Sequence, residues 1–93
     1  MDEAITMKVR SNTAVPSLAS AIFRHLKVGT NVELIAIGAG ATNQAAKGIA
    51  RASSFAGAEG YSIATKVGFT SVDIELEDDI ITKTGLRFRL ELS

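Results

Sequence analysis

Gly38-Ala39-Gly40-Ala41-Thr42-Asn43-Gln44-Ala45-Ala46-Lys47-Gly48-Ile49-Ala50-Arg51 is the stretch whose reading decides how this chain folds. It follows the apolar run Val32-Glu33-Leu34-Ile35-Ala36-Ile37, opens with two glycines, and continues as an alanine-rich segment whose polar residues recur at helical spacing. The pattern predicts a strand, a tight loop and a helix. The helix is expected from about Thr42 to Phe55, with Gly57 or Gly60 stopping it. A strand that passes through glycines into a helix presents free backbone N–H groups and the positive end of a helix dipole together, which suits an anionic ligand.

Upstream, Ile5-Thr6-Met7-Lys8-Val9 alternates apolar with polar, the signature of a half-buried strand. Ser11-Asn12-Thr13 offers N-cap oxygens and Pro16 suits a first helical turn, so a helix is expected next. Val15, Leu18, Ala19, Ile22 and Leu26 form its apolar face, and Gly29 ends it. His25, the single histidine, lies beside that face and reads as an ordinary helix-edge residue. Val32–Ile37 is mostly apolar on both faces, as in a central strand. On the second helix, Ala45, Gly48 and Ala52 let the backbone approach a sheet or another helix closely.

Downstream, Tyr61-Ser62-Ile63-Ala64-Thr65 begins a third extended segment, with a bend expected at Gly68 before Val72-Asp73-Ile74-Glu75-Leu76-Glu77 resumes alternation. Asp78-Asp79 is a turn candidate, while Ile80, Ile81 and Gly85 leave a wider loop with a bulge equally open. Leu86-Arg87-Phe88-Arg89-Leu90-Glu91-Leu92 puts four apolar side chains on one face and Arg87, Arg89 and Glu91 on the other. The last two strands read as an antiparallel hairpin. The expected fold is α+β: a two-layer βαβαββ sandwich in which a four-stranded mixed sheet carries both helices on one face, residues 1–93 forming a single domain. Helical crossovers favour parallel pairing among the early strands.

Composition bounds the function. A chain of 93 residues buries roughly 60–65% of its unfolded surface, enough for one core without staples. The absence of cysteine rules out disulfides and thiolate metal sites. The start, Met1-Asp2-Glu3, is acidic, and no apolar run approaches the roughly 18 residues of a membrane span, so a cytoplasmic protein with no membrane partner is expected. Net charge is zero, unlike a simple basic nucleic-acid-binding domain. Yet residues 1–72 carry seven Lys/Arg against four acids, whereas residues 73–93 carry three against six. If the two parts expose different faces, one attracts an anion and the other repels it.

Asn43, Lys47, Arg51 and Ser54 follow helical steps with Gln44 beside them, so they share one face. With Gly38 and Gly40 they would supply N–H groups, two cations and two amides, a cradle for successive phosphates. The same pattern also describes a solvated helix face whose amides cap the helix. A dinucleotide fingerprint is excluded because Asn43 occupies the position of its third glycine, and a P-loop because no Gly-Lys-Ser/Thr follows. Asp73, Glu75, Glu77, Asp78 and Asp79 could be imagined around a hard cation, but a polar strand face in which Glu75 and Glu77 pair with Arg87 and Arg89 is the simpler expectation. No serine has a visible base and the histidine is isolated, so no enzyme activity, catalytic residue, metal or cofactor is expected.

The run from Gly38 to Lys47 resembles the hallmark Gly-Ala-Gly-x-x-Asn-Gln-Ala-x-Lys of the stage V sporulation protein S family, and the likeness extends through Phe69-Thr70 and the terminal hairpin. That family in turn resembles the Alba group of small nucleic-acid-binding proteins. The resemblance implies sheet order 1-2-4-3, a tendency to form homodimers or higher homo-oligomers, and a cytoplasmic bacterial regulator of sporulation or development that contacts nucleic acid. One departure is plain: Alba grips a duplex with a basic loop and a basic hairpin arm, whereas here the loop is Gly-Ala-Gly and the hairpin tip is acidic. Chromatin-like binding through many phosphate contacts is therefore not expected.

The leading expectation is a non-enzymatic regulator that binds DNA or RNA through Gly38, Gly40, Thr42, Asn43, Gln44, Lys47 and Arg51, with Lys8, Arg10 or Lys27 as further candidates. The alternatives are a homo-oligomeric protein–protein adaptor whose acidic tip recruits a basic partner, and a small-anion sensor at the glycine loop.

Overall fold

The computed structural model describes residues 4–93; the acidic start Met1-Asp2-Glu3 lies outside the described residues. Six elements follow in the order β1 (Ala4–Val9), α1 (Val15–Lys27), β2 (Asn31–Ala36), α2 (Ala39–Ala58), β3 (Ile63–Leu76) and β4 (Asp79–Leu92). The strands form one sheet in the order β1-β2-β4-β3. β1 and β2 pair in parallel, and β4 lies between β2 and β3, antiparallel to both. The α+β expectation and the 1-2-4-3 order both hold. Parallel pairing stops at β1–β2, because the hairpin folds β4 back into the place beside β2 that a simple succession of crossovers would give to β3.

The core lies between the helices and one sheet face. Leu18, Ala19, Ile22 and Leu26 of α1 and Ala41, Ala45, Ala52 and Ala56 of α2 cover Val9, Val32, Leu34, Phe88 and Leu90. The helices meet through the small-residue stripe of α2: a Cβ on Gly48 would stand 2.5 Å from Leu18 Cδ2. Phe23 and Phe55 add a tilted ring contact at 6.4 Å. Both helices end in a Schellman motif. Gly29 N–H donates to Leu26 O and Thr30 N–H to His25 O; Gly60 N–H donates to Gly57 O and Tyr61 N–H to Ala56 O.

Four local expectations are corrected. α2 runs from Ala39 to Ala58 rather than from Thr42 to Phe55, because Gly38 alone takes the non-helical conformation and Gly40 already lies in the first turn. Ser11, Asn12 and Thr13 do not cap α1. Its N-cap is Ala14, while Thr13 Oγ1 accepts the Arg10 N–H at 2.8 Å and closes the β1–α1 turn. β3 does not bend at Gly68, which stays paired with Arg87 in an unbroken ladder from Ile63↔Leu92 to Leu76↔Asp79. The turn is therefore the tight two-residue link Glu77-Asp78, with no wider loop at Gly85.

The fourth correction concerns the acids. Register places Glu75 opposite Ile80, so Glu75 does not pair with Arg87 or Arg89, and Glu77 lies in the turn. Arg89 instead reaches Glu33 of β2 at 3.5 Å, and Asp73 accepts a hydrogen bond from Thr82 Oγ1 at 2.7 Å. β2 pairs with β4 only from Leu86 to Leu90, so from Thr70 to Thr84 the hairpin continues as a two-stranded arm. The molecule is accordingly elongated, 50 × 30 × 19 Å. The charge division follows this geometry: Asp73, Glu75, Glu77, Asp78 and Asp79 belong to the arm, while Arg87 and Arg89 belong to the body.

Candidate nucleic-acid interface

α2 begins without a side-chain cap and with no acid in its first turn. Gly38 sits at φ 89° and ψ 164°, a region that side-chain-bearing residues avoid, and its carbonyl accepts the Thr42 N–H at 3.0 Å. The N–H groups of Ala39, Gly40 and Ala41 precede that first intrahelical bond and so have no acceptor in the helix. Neither α1 nor α2 contains an acidic residue; their charges are Arg24, Lys27, Lys47 and Arg51, and the nearest acid, Glu59 at the α2 C-cap, sits beside Lys27 at the far end from Gly38.

The β1–α1 turn forms a wall beside this helix end. A Cβ on Gly40 would lie 2.9 Å from Ser11 Cβ, so the close approach requires glycine. Gln44 Nε2 donates to Thr13 O at 2.8 Å and ties the turn to α2. Together these contacts form an open groove of about 600 Å³ whose lining includes Lys8, Arg10, Ser11, Asn12, Gly40 and, from the arm, Ile74.

The candidate residues separate into three groups. Gly38 and Gly40 lie at the helix end, near Lys8 and Arg10, with Thr42 half-buried behind them. Asn43, Lys47 and Arg51 are exposed and run along the outer face of α2, Lys47 standing about 12 Å from the helix start at 1.5 Å per residue. Gln44 turns inward. Lys27, at the C-terminal end of α1, is far from Gly38 and bridges to Glu59 at 2.8 Å. The hydrogen bond to Glu59, then the carboxylate charge, raises the Lys27 pKa above the ordinary lysine value. The pair's contribution to stability is therefore complete below the unfolded lysine pKa and is lost as pH rises through the folded one; with both ends in solvent it is small.

Replacing Gln44 with Ala removes the bond to the Thr13 carbonyl and should destabilise the fold by about 1 kcal/mol. Denaturant unfolding would measure the loss, and an unchanged midpoint would show that the turn holds its place without Gln44. Sequence reasoning did not identify the β1–α1 turn as the wall of the site. Its only signal was the second glycine, whose contact with Ser11 lies 29 positions away along the chain.

Among the described residues, no group of three or more His, Cys, Asp or Glu side chains is placed to hold a metal, and no helix is long and apolar enough to cross a membrane. The family model described as Stage V sporulation protein S (SpoVS) matches residues 5–93. Among curated proteins, no match was found.

Proposed function

The chain belongs to the stage V sporulation protein S family, and from that premise we propose that it is a non-enzymatic regulator that binds nucleic acid through the start and outer face of α2. The observation that supports this reading is the uncapped α2 N-terminus in an acid-free helical layer, next to a groove carrying Lys8 and Arg10. Phosphate oxygens would accept from the Ala39–Ala41 N–H groups, and Lys47 and Arg51 would meet the neighbouring backbone. These contacts position a strand without reading bases, so sequence preference is expected to be slight. The acidic arm limits how much of the molecule can approach a polyanion, which keeps the number of phosphate contacts small.

Replacing Lys47 and Arg51 together with alanine should flatten the dependence of log affinity on log salt by about two for duplex DNA, if each meets one phosphate. An unchanged slope would remove both residues from the interface. A second reading, a homo-oligomeric adaptor, has its own observation: Phe69 is 80% exposed, and Val67, Leu76 and Ile80 are also exposed along β3 and the arm. Light scattering across a dilution series would separate the two, since the adaptor requires a stable oligomer in the absence of nucleic acid.

A further inference from the structure

The helices cover one face of the sheet and leave the other open. Paired residues point to the same side, so register assigns Thr6 and Lys8 of β1, Glu33 and Ile35 of β2, Arg87, Arg89 and Glu91 of β4, and Lys66 and Gly68 of β3 to the open face. One row across the sheet reads Lys8–Ile35–Arg87–Gly68 and the next Thr6–Glu33–Arg89–Lys66. Lys66 and Arg89 are thus direct cross-strand neighbours, an arrangement of like charges that costs stability. Arg87 follows Arg89 on the same face about 6.8 Å along the strand.

Among the described residues, two acids face these cations. Glu33 holds Arg89 at 3.5 Å, and Glu91 stands in the adjacent row opposite Ala64. Arg87 is half-buried, and among the described residues neither Arg87, Lys66 nor Lys8 has a carboxylate within salt-bridge distance. The floor is low: Ala4, Ala64, Gly68 and Gly85 supply little relief, and a depression of about 330 Å³ opens beside Lys66 and Arg89. Among the described residues of the strands, no aromatic side chain points to this face, since Phe69 and Phe88 alternate to the other side.

We infer that the open face of the sheet is a second polyanion-binding surface, on which Lys8, Arg87, Arg89 and Lys66 hold the sugar–phosphate backbone of a single nucleic-acid strand. This rests on the reading above that the partner is a nucleic acid. Four strands span only about 14 Å, a width suited to one strand lying flat. The missing aromatics remove base stacking, so attachment is electrostatic and indifferent to base. Lys8 also lines the groove at the start of α2, so the track across the sheet and the helix site meet at one edge. The clustered cations are unfavourable in the free protein and become favourable once phosphates lie between them.

The experiment titrates labelled oligothymidylate and oligouridylate over a range of salt, with wild type, Lys66→Gln/Arg87→Gln, Lys47→Gln/Arg51→Gln and the charge-conserving Arg87→Lys. Loss of two contacts to a single strand lowers the log–log slope by about 1.4 in the Lys66→Gln/Arg87→Gln protein, and Arg87→Lys leaves the slope near that of wild type. Thermal melts of wild type and of the single variant Lys66→Gln give the second readout: Lys66→Gln raises or preserves the melting temperature, because it relieves the opposition to Arg89. A slope unchanged in the sheet variant but lowered in the helix variant overturns this inference and leaves the helix site standing. No binding by wild type, or tighter binding of polyglutamate than of either oligonucleotide, overturns both.

Discussion

Gly48→Val should unfold at a much lower denaturant concentration than wild type, with a loss of about 3 kcal/mol, the upper end of the usual cost of overpacking a core. Gly48 lies at the centre of the α1–α2 contact, where a first side-chain carbon would stand 2.5 Å from Leu18 Cδ2 and 2.9 Å from Leu18 Cγ. Leu18 is itself 6% exposed, with Ala19 and Ile22 fully buried beside it, so its side chain has no free volume to enter. The helices must separate, which weakens every contact of the alanine stripe at once. Stability of domains this size is only about 5–15 kcal/mol, so the expected fall in melting temperature is roughly 12–24 °C.

Gly57→Ala in the same helix supplies the contrast. Nothing lies within 4 Å of that position, and relief of glycine's entropy should stabilise the protein by about 0.5–1 kcal/mol. Calorimetric melts of the two variants would separate packing from helix propensity. If Gly48→Val behaved like Gly57→Ala, the close helix–helix approach would be wrong.

That contact shows what the sequence could and could not disclose. Ala45, Gly48 and Ala52 at helical spacing announced a closely packed face, and the period-2 alternation of Ile5–Val9 and Leu86–Leu92 announced which side chains face the core. Those signals are local. The start of α2 was misplaced because two glycines look alike in sequence, and only the tertiary contact with Ser11 makes Gly40 a packing residue while Gly38 makes the turn. The arginine partners were misassigned for a related reason. Pairing between β3 and β4 depends on the turn, and placing it at Glu77-Asp78 puts Lys66 and Gly68 opposite the arginines. Of the candidate binding residues, the glycines were legible as the loop that leads into the helix, and Asn43, Lys47 and Arg51 as one helix face. The grouping of Lys8 with Arg10 around the helix end required the strand order.

Gly85→Val tests the point on which both the arm and the groove depend. Gly85 is where β4 leaves the support of β2: a Cβ there would stand 2.8 Å from the Ala36 carbonyl oxygen and 3.0 Å from Ile37 Cγ1. A backbone oxygen has no rotamer by which to move aside, so the strands must part and the Ala36↔Leu86 pairing is lost first. The expected cost is about 2–3 kcal/mol. Hydrogen exchange should locate it, with faster exchange at Leu86 and across the arm from Thr70 to Thr84, because a two-stranded ribbon without a third strand is marginal alone. Gly68→Val is the control, since nothing lies within 4 Å there and a β-branched residue favours a strand. The binding consequence follows from the groove lining, to which both Ile37 and the arm's Ile74 contribute beside Lys8 and Arg10. Opening that wall should weaken nucleic-acid affinity while leaving the salt slope unchanged, because no cation has been removed. A reduced slope would instead mean that displacement of the arm also withdraws a phosphate contact, and would assign the arm a direct part in the interface.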